Sequence, residues 1–189
     1  TIGDITGIGP EVTLKALARE WEKDASRYLL IGDAPLLLAL NHRWDLKLPL
    51  QREAEAATDA RLMVCSPGPA LADAQSLSPG APEAARLAIA GLREAARRCL
   101  HGEAAALITA PVNKHAIIRS GQPFVGQTEF LSDLAGTRRT VMMLLGTDDR
   151  GRWLRVALAT THVPIRRLAE QLSPDKITRA IELAVQACR

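Results

Sequence analysis

Four short segments of the chain combine residue types able to hold or transform a polar ligand. The first reads Gly3-Asp4-Ile5-Thr6-Gly7-Ile8-Gly9-Pro10-Glu11. Small residues that run into a helix start can turn backbone N–H groups toward an anion such as a phosphate. The segment lacks the Gly-Lys-Ser/Thr ending of a P-loop and is not the dinucleotide fingerprint. A tight turn with Asp4 as a local cap is the competing reading. The second segment, Thr109-Ala110-Pro111-Val112-Asn113-Lys114, places an amide and a cation directly after an apolar run. Lys114 suits a carboxylate, a phosphate or proton transfer; a solvated lysine on a first helical turn is the favoured explanation from sequence.

The third segment is Gly126-Gln127-Thr128-Glu129, a glycine, an amide and a hydroxyl ahead of a helix. It suits hydrogen bonding to a polar ligand, against a capping role with Thr128 as the cap. The fourth is Thr160-Thr161-His162-Val163-Pro164. His162 follows an apolar run, whereas His42, His101 and His115 read as surface residues near helix ends. A lone histidine is more often structural than a ligand. A metal site needs about three protein ligands, and none pairs with His162 at motif spacing.

The elements that must carry these segments follow from periodicity. Pro10 suits the start of a helix, and Leu14, Leu17 and Trp21 recur at helical spacing. Tyr28-Leu29-Leu30-Ile31 and Leu62-Met63-Val64-Cys65 read as short buried strands, and 35–42 as a short helix. Residues 44–60 are ambiguous, a strand followed by a polar loop or helix. Residues 66–82, rich in proline and glycine, read as loop. A long helix follows, with Ala85, Ile89, Leu92, Ala96 and Cys99 on one face. Residues 104–109 read as a buried strand, 113–120 and 128–135 as helices, and 141–145 and 154–160 as strands around a turn at 148–151. Ser173-Pro174-Asp175 is a helix start with a cap, a proline and an early acid. Apolar strands interleaved with amphipathic helices predict an α/β fold with a mostly parallel sheet covered on both faces.

Composition removes other classes. Hydrophobic residues make up 47% of the 189, too many for a disordered segment. No apolar run approaches the roughly 20 residues that span a bilayer. Cys65, Cys99 and Cys188 are odd in number and widely spaced, against a disulfide scaffold or a zinc module. A reducing cytoplasm is the expected setting. Basic and acidic residues, 24 and 21, are interspersed, and the Arg97-Arg98, Arg138-Arg139 and Arg166-Arg167 pairs are scattered. Aromatics are 3%, which leaves no stacking platform for nucleic acid. The length fits one domain or one and a fraction. Thr1 stands inside a Gly-rich loop and Arg189 inside a helical pattern, so both ends are expected to be cut.

Taken in order, the motifs resemble the 4-hydroxythreonine-4-phosphate dehydrogenase family of pyridoxal 5′-phosphate biosynthesis. The resemblance extends over the whole chain. It rests on Gly3-Asp4 with Gly7-Ile8-Gly9-Pro10-Glu11, Ile31-Gly32-Asp33, Ile108 to Lys114, Gly126 with Thr128-Glu129, Val141-Met142-Met143-Leu144, and Leu154 to Leu158 running into Thr160 to Pro164. It implies an isocitrate/isopropylmalate-dehydrogenase-like α/β fold, two lobes around a cleft with a crossing near 110–130, and an absent C-terminal part. It implies a homodimer, NAD as cofactor, and a divalent metal (zinc, magnesium or cobalt) with His162 as the first of three histidine ligands. Gln127 and Thr128 match a pair that contacts a small phosphorylated substrate. The implied reaction oxidises 4-phosphooxy-L-threonine to a 3-keto acid, which decarboxylates to 3-amino-2-oxopropyl phosphate. No membrane or nucleic-acid partner is implied.

Two departures qualify the match. Gln127 stands where the family usually has histidine, and an amide does not titrate near neutral pH. Ile5-Thr6 replaces the usual Pro-Ala. A sister dehydrogenase acting on 4-phosphothreonate or 4-phosphoerythronate, a phosphate-acyltransferase-like enzyme of related fold, and an inactive truncated homologue stay open as alternatives.

Overall fold

The computed structural model describes residues 1–189 except Ala72, Arg138 and Arg189. Two compact units divide the chain, Thr1–Ala135 and Gly136–Arg189. Arg138 of one expected arginine pair and the terminal Arg189 lie outside the described residues. Among those described, no helix is long and apolar enough to cross a membrane.

The first unit is α/β. It contains helix α1 (Gly9–Glu20), strand β1 (Tyr28–Ile31), α2 (Ala34–Arg43), β2 (Gln51–Arg52), β3 (Leu62–Cys65), α3 (Pro82–Leu100), α4 (Lys114–Arg119) and α5 (Gln127–Leu134). The strands form a parallel sheet in the order β1-β3-β2, with Tyr28 opposite Leu62 and Ile31 opposite Cys65. Parallel neighbours need a crossover, and α2 lies between β1 and β2. Its start is fixed by Asp33, only 1% exposed, whose Oδ1 accepts the Leu36 N–H at 2.8 Å. The second oxygen of Asp33 accepts the Leu71 N–H at 3.0 Å and so ties the proline-rich loop to the strand end. The ambiguous stretch 44–60 yields only the two residues of β2 and a 3-10 turn, Glu53–Glu55.

The core has two parts that meet on α3. Ile2, Leu14, Leu30, Leu37, Leu62, Val64, Ala84 and Leu87 form one; Ala85, Ile89, Leu92, Ala116, Ile117 and Phe124 form the other. Ala85, Ile89, Leu92 and Ala96 of the expected stripe on α3 are buried while Cys99 is only half-buried, and a second face through Ala84, Leu87, Ala88 and Ala95 is buried as well. A helix apolar on most of its surface belongs inside. At its C-terminal end Arg98 bridges Glu53 and Glu94, and Arg97 bridges Glu94 and Glu103. Hydrogen bonds from Arg97 and Arg98, only partly offset by burial, pull the Glu94 carboxyl down to about 2. Burial and the neighbouring Glu53 push the Cys65 thiol up to about 11, which keeps it protonated and unreactive.

The N-terminal residues pass through a tight backbone crossing. The Ile2 N–H donates to the Ile31 carbonyl at 3.2 Å, the Ala110 N–H to the Thr1 carbonyl at 3.0 Å, and the Asp4 N–H to the Pro111 carbonyl at 2.9 Å. Gly3 takes a left-handed conformation (φ 66°), and a side chain there would strike the Pro111 carbonyl. A side chain at Gly9 would strike the carbonyl of Ile2. These two positions admit glycine because the backbones touch.

Two expectations are corrected. Residues 104–109 are not a buried strand: they have no strand assignment, and most are exposed, Ile108 at 75%. Their ladder partners reduce to Thr1, which accepts from Ala110 and donates to the Ile108 carbonyl at 2.7 Å. These bonds form no strand ladder among the described residues. The second correction concerns cover in the second unit; the two strands expected around the hairpin-like turn at 148–151 do form, as an antiparallel pair. There β4 (Met142–Thr147) pairs with β5 (Trp153–Leu158), and most of its side chains are exposed rather than covered on both faces. Asp148 shapes the turn by accepting the N–H groups of Arg150 and Arg152 at 2.9 and 2.8 Å. A 3-10 turn (Ile165–Arg167), α6 (Leu168–Gln171) and α7 (Pro174–Ala187) complete this unit, and Ser173 caps α7 through the Lys176 N–H.

Gly9→Ala is expected to destabilise the protein by about 1–3 kcal/mol through forced overpacking, whereas Gly68→Ala, with nothing within 4 Å, leaves it unchanged; urea unfolding compares them. The depressed Glu94 carboxyl contributes stability above its ordinary value of 4.5 that is lost as pH falls toward about 2. Thermal melting between those limits is expected to show that loss. Glu94→Gln is expected to be less stable at neutral pH and to lose less on acidification.

Candidate functional site

Three of the four chemistry-bearing segments lie in the first unit. Two of them share one cavity of about 440 Å³, lined by Asp4, Gly7 and Ile8 from the first loop and by Pro111, Val112, Asn113, Lys114 and His115. The backbone crossing at Ile2, Gly3 and Pro111 brings them there, although they are more than 100 positions apart in sequence.

Each wall is fixed by a local cap. Asp4 is only 7% exposed, and its Oδ1 accepts the Thr6 N–H at 2.9 Å and the Thr6 hydroxyl at 2.7 Å. That is the local capping role expected of Asp4. The loop then enters α1 with Pro10 in its first turn and Glu11 near the positive end of the helix dipole. On the other wall Asn113 caps α4, its Oδ1 accepting the Ala116 N–H at 3.0 Å. Lys114 and His115 follow as the first two residues of that helix, both exposed. Lys114 sits on the first helical turn, as expected, and also borders the cavity. His115 reads from sequence as an ordinary surface residue, and its place in the cavity wall is missed by that reading. Its position directly beside Lys114, after a strand-like run and a proline, was the available signal.

Gln127 and Thr128 begin α5, whose N-cap is Gly126. Thr128 is therefore not the cap: the helix starts one residue earlier, and Thr128 is exposed inside its first turn. The Gln127 amide donates from Nε2 to the Ala110 carbonyl at 3.2 Å, while its Oε1 is buried with no hydrogen-bond partner. Gln127 thus touches the residue that precedes the cavity's Pro111. Phe130 holds α5 in place by packing against Phe124, with ring centroids 5.6 Å apart, and under the Arg93 guanidinium at 5.2 Å. A smaller recess of about 270 Å³ also borders the first loop, lined by Thr6, Glu11, Arg43 and Trp44 among others.

His162 lies in the second unit, in the bend that follows β5. It is exposed and adopts a left-handed backbone conformation (φ 57°). Among the described residues, no group of three or more His, Cys, Asp or Glu side chains is placed to hold a metal. His162 is therefore part of no such group among the described residues.

Comparison with known proteins places this geometry. The family described as "Pyridoxal phosphate biosynthetic protein PdxA" matches residues 24–189. A 4-hydroxythreonine-4-phosphate dehydrogenase of Prosthecochloris aestuarii is 37% identical over 180 residues, covering 90% of this chain and 52% of the relative. The protein of that name in Chromobacterium violaceum is 36% identical, covering 97% and 53%. The crystal structure of 4-hydroxythreonine-4-phosphate dehydrogenase from Klebsiella pneumoniae superposes with a TM-score of 0.78 at 32% identity, covering 97% of this chain and 56% of that one. A protein from Salmonella typhimurium described as a putative enzyme of that name gives 0.79 at 29% identity, with the same coverage. The chain spans about half the length of the curated relatives it matches. With the profile matched along most of its length, the chain belongs to the pyridoxal phosphate biosynthetic protein PdxA family.

Proposed function

We propose that this chain is part of an NAD- and divalent-metal-dependent dehydrogenase that oxidises the C3 hydroxyl of 4-phosphooxy-L-threonine. The 3-keto acid then loses carbon dioxide to give 3-amino-2-oxopropyl phosphate. The observation that carries this reading is the family match over residues 24–189, with relatives named for that activity. The fold belonging to it is isocitrate/isopropylmalate-dehydrogenase-like, with two lobes around a cleft and a crossing near 110–130. The working form is a cytoplasmic homodimer.

The residues divide the work by chemistry. Lys114 and His115 offer cationic and hydrogen-bonding character at the cavity beside α1, suited to a phosphorylated ligand. Gln127 and Thr128, adjoining through Ala110, contact the phosphorylated substrate. The buried, unpartnered Oε1 of Gln127 accepts a donor from it, because an unmet buried acceptor costs free energy. His162 is one ligand of a divalent metal (zinc, magnesium or cobalt), with the others supplied from outside the described residues. A metal so held polarises the reacting hydroxyl, and NAD takes the hydride. The amide of Gln127 favours one second reading, a sister enzyme acting on 4-phosphothreonate or 4-phosphoerythronate. An amide holds one hydrogen-bonding pattern at all physiological pH, where the family's usual histidine titrates.

The backbone at His162 supports its assignment. A left-handed conformation costs roughly 1–2 kcal/mol in a residue with a Cβ, and such strain collects where a side chain is needed for function.

The full-length protein is expected to reduce NAD with 4-phosphooxy-L-threonine and a divalent metal. Absorbance of NADH, with 4-phosphothreonate and 4-phosphoerythronate run in parallel, checks this; preference for either acid lacking the amino group selects the sister reading, and no turnover with any of them rejects the function. His162→Gly is expected to raise stability by about 0.5–1 kcal/mol, the strain relieved less the chain entropy of glycine. The same change is expected to weaken zinc binding at least tenfold. His162→Ala is expected to lose the metal without the gain in stability. Thermal melting of the metal-free proteins and equilibrium dialysis with zinc separate the two effects.

A further inference from the structure

The Thr6 hydroxyl makes two hydrogen bonds that a merely turn-forming residue does not need. It donates to Asp4 Oδ1 at 2.7 Å and accepts the Gly80 N–H at 3.2 Å. The first bond holds a carboxylate that is 93% buried, and the second fastens the first loop to the proline-rich segment ahead of α3. Gly80 is itself left-handed (φ 77°), and a side chain there would meet Arg119 and Asn113, so this point of the loop lies close to α4. One hydroxyl therefore joins the first loop to the segment that runs past α4 into α3.

Only one oxygen of Asp4 is used in this way. Oδ2 takes no hydrogen bond among the described residues, and it is not among the side-chain atoms sealed off without a partner. Asp4 lines the cavity together with Lys114 and His115. A largely buried carboxylate in the wall of a cavity, with one oxygen committed and the other uncommitted among the described residues, is a preset acceptor. A ligand that brings a hydroxyl or ammonium hydrogen can meet it with a charge-assisted hydrogen bond. A bare phosphate would be repelled by Asp4 even as Lys114 attracts it. The cavity thus matches a phosphorylated ligand that also carries a hydrogen-bond donor.

We propose that Asp4 binds the hydroxyl or ammonium group of a phosphorylated reactant, and that Thr6 is the positioning residue that presents its carboxylate. The proposal rests on the dehydrogenase reading, whose two reactants both carry phosphate and hydroxyl groups. It also gives a role to one of the two loop residues at which this chain departs from the family pattern.

Steady-state kinetics of the full-length enzyme test it. Thr6→Val keeps the side-chain shape and removes the hydroxyl; Thr6→Ser restores it. Thr6→Val is expected to raise the KM for one reactant about three- to tenfold, the weight of one hydrogen bond, with kcat within about twofold. Thr6→Ser is expected to return that KM to near the wild-type value. Whether NAD or the phosphorylated hydroxy acid shows the rise identifies whose donor Asp4 meets. Asp4→Asn is expected to raise the same KM, and Thr6→Val is expected to add less than about twofold in that background, because it acts through Asp4. Unmoved KM values, failure of Thr6→Ser to restore them, or independent multiplication of the two effects overturns the proposal. Should Thr6→Val fail to fold, Thr6→Ala takes its place in the same comparison. A wild-type enzyme that does not turn over rejects the dehydrogenase reading; turnover with unmoved KM values rejects the role of Thr6 alone.

Discussion

The first unit depends on a backbone-to-backbone contact that only glycine permits. Gly9 opens α1 against the carbonyl of Ile2, and Gly3 turns left-handed beneath the carbonyl of Pro111. These contacts put the start of a helix, the end of the segment leading into α4, and the strand end at Ile31 within hydrogen-bond reach of each other. The cavity bordered by Asp4, Ile8, Lys114 and His115 is a consequence of that approach. A methyl group at either glycine would push the two walls apart. The polar groups in the walls are then trimmed by short local bonds, Asp4 with Thr6 and Asn113 with Ala116. Long-range placement comes from the backbone crossing and fine orientation from the caps.

The long helix α3 distributes this order to the rest of the unit. Its two buried faces serve two cores, one under the sheet and one under α4 and Phe124. Its arginines are also used. Arg93 covers Phe130 and steadies the helix that begins with Gln127, while Arg98 reaches Glu53 beyond β2. The ion-pair network is largely solvent-facing at Arg97 and better shielded at Arg98, so the latter pairs carry more of its weight. Apolar burial fixes where α3 lies, and charge fixes how its end meets the sheet.

Much of this was legible in the sequence where the signal is local. The capped start at Ser173, the stripe of Ala85, Ile89 and Leu92, the short strands at Tyr28 and Leu62, and the turn at Asp148 each depend on neighbours a few residues away. The failures have the opposite character. Residues 104–109 carry an apolar run that suits a strand, yet strand formation is decided by partners, and the described residues pair with them only through Thr1 and form no ladder. The antiparallel sheet of the second unit looks like a buried pair by composition, yet Leu144, Leu145, Trp153 and Leu154 stand exposed. Burial is a property of what lies opposite, which a run of residues does not encode. Within the candidate site, the residue types of the first loop and of Asn113-Lys114 drew notice, but no spacing rule joins positions 4 and 114. His115 was passed over for that reason, and the hydroxyl clamp of Thr6 depends on Gly80, 74 positions away.

The bend at His162 shows how sequence can specify an unusual backbone without any long-range contact. Strand β5 ends at Leu158, and the chain must turn before the 3-10 helix at Ile165. Pro164 fixes its own φ near −56° and denies the residue before it the helical region. Val163 is also β-branched, which favours an extended backbone. The turn therefore falls on an earlier position. Among residues with a Cβ, histidine is one of the more tolerant of the left-handed region. His162 takes it, and its imidazole is left exposed at the head of the bend instead of folded against β5. A glycine would make the same turn at less cost, so the presence of histidine here is not explained by the backbone. The same holds at Asp45 and Lys47, which are left-handed too, so a left-handed backbone alone does not mark a ligand; what sets His162 apart is that the bend presents an exposed imidazole, and the proposed metal role rests on that group's chemistry.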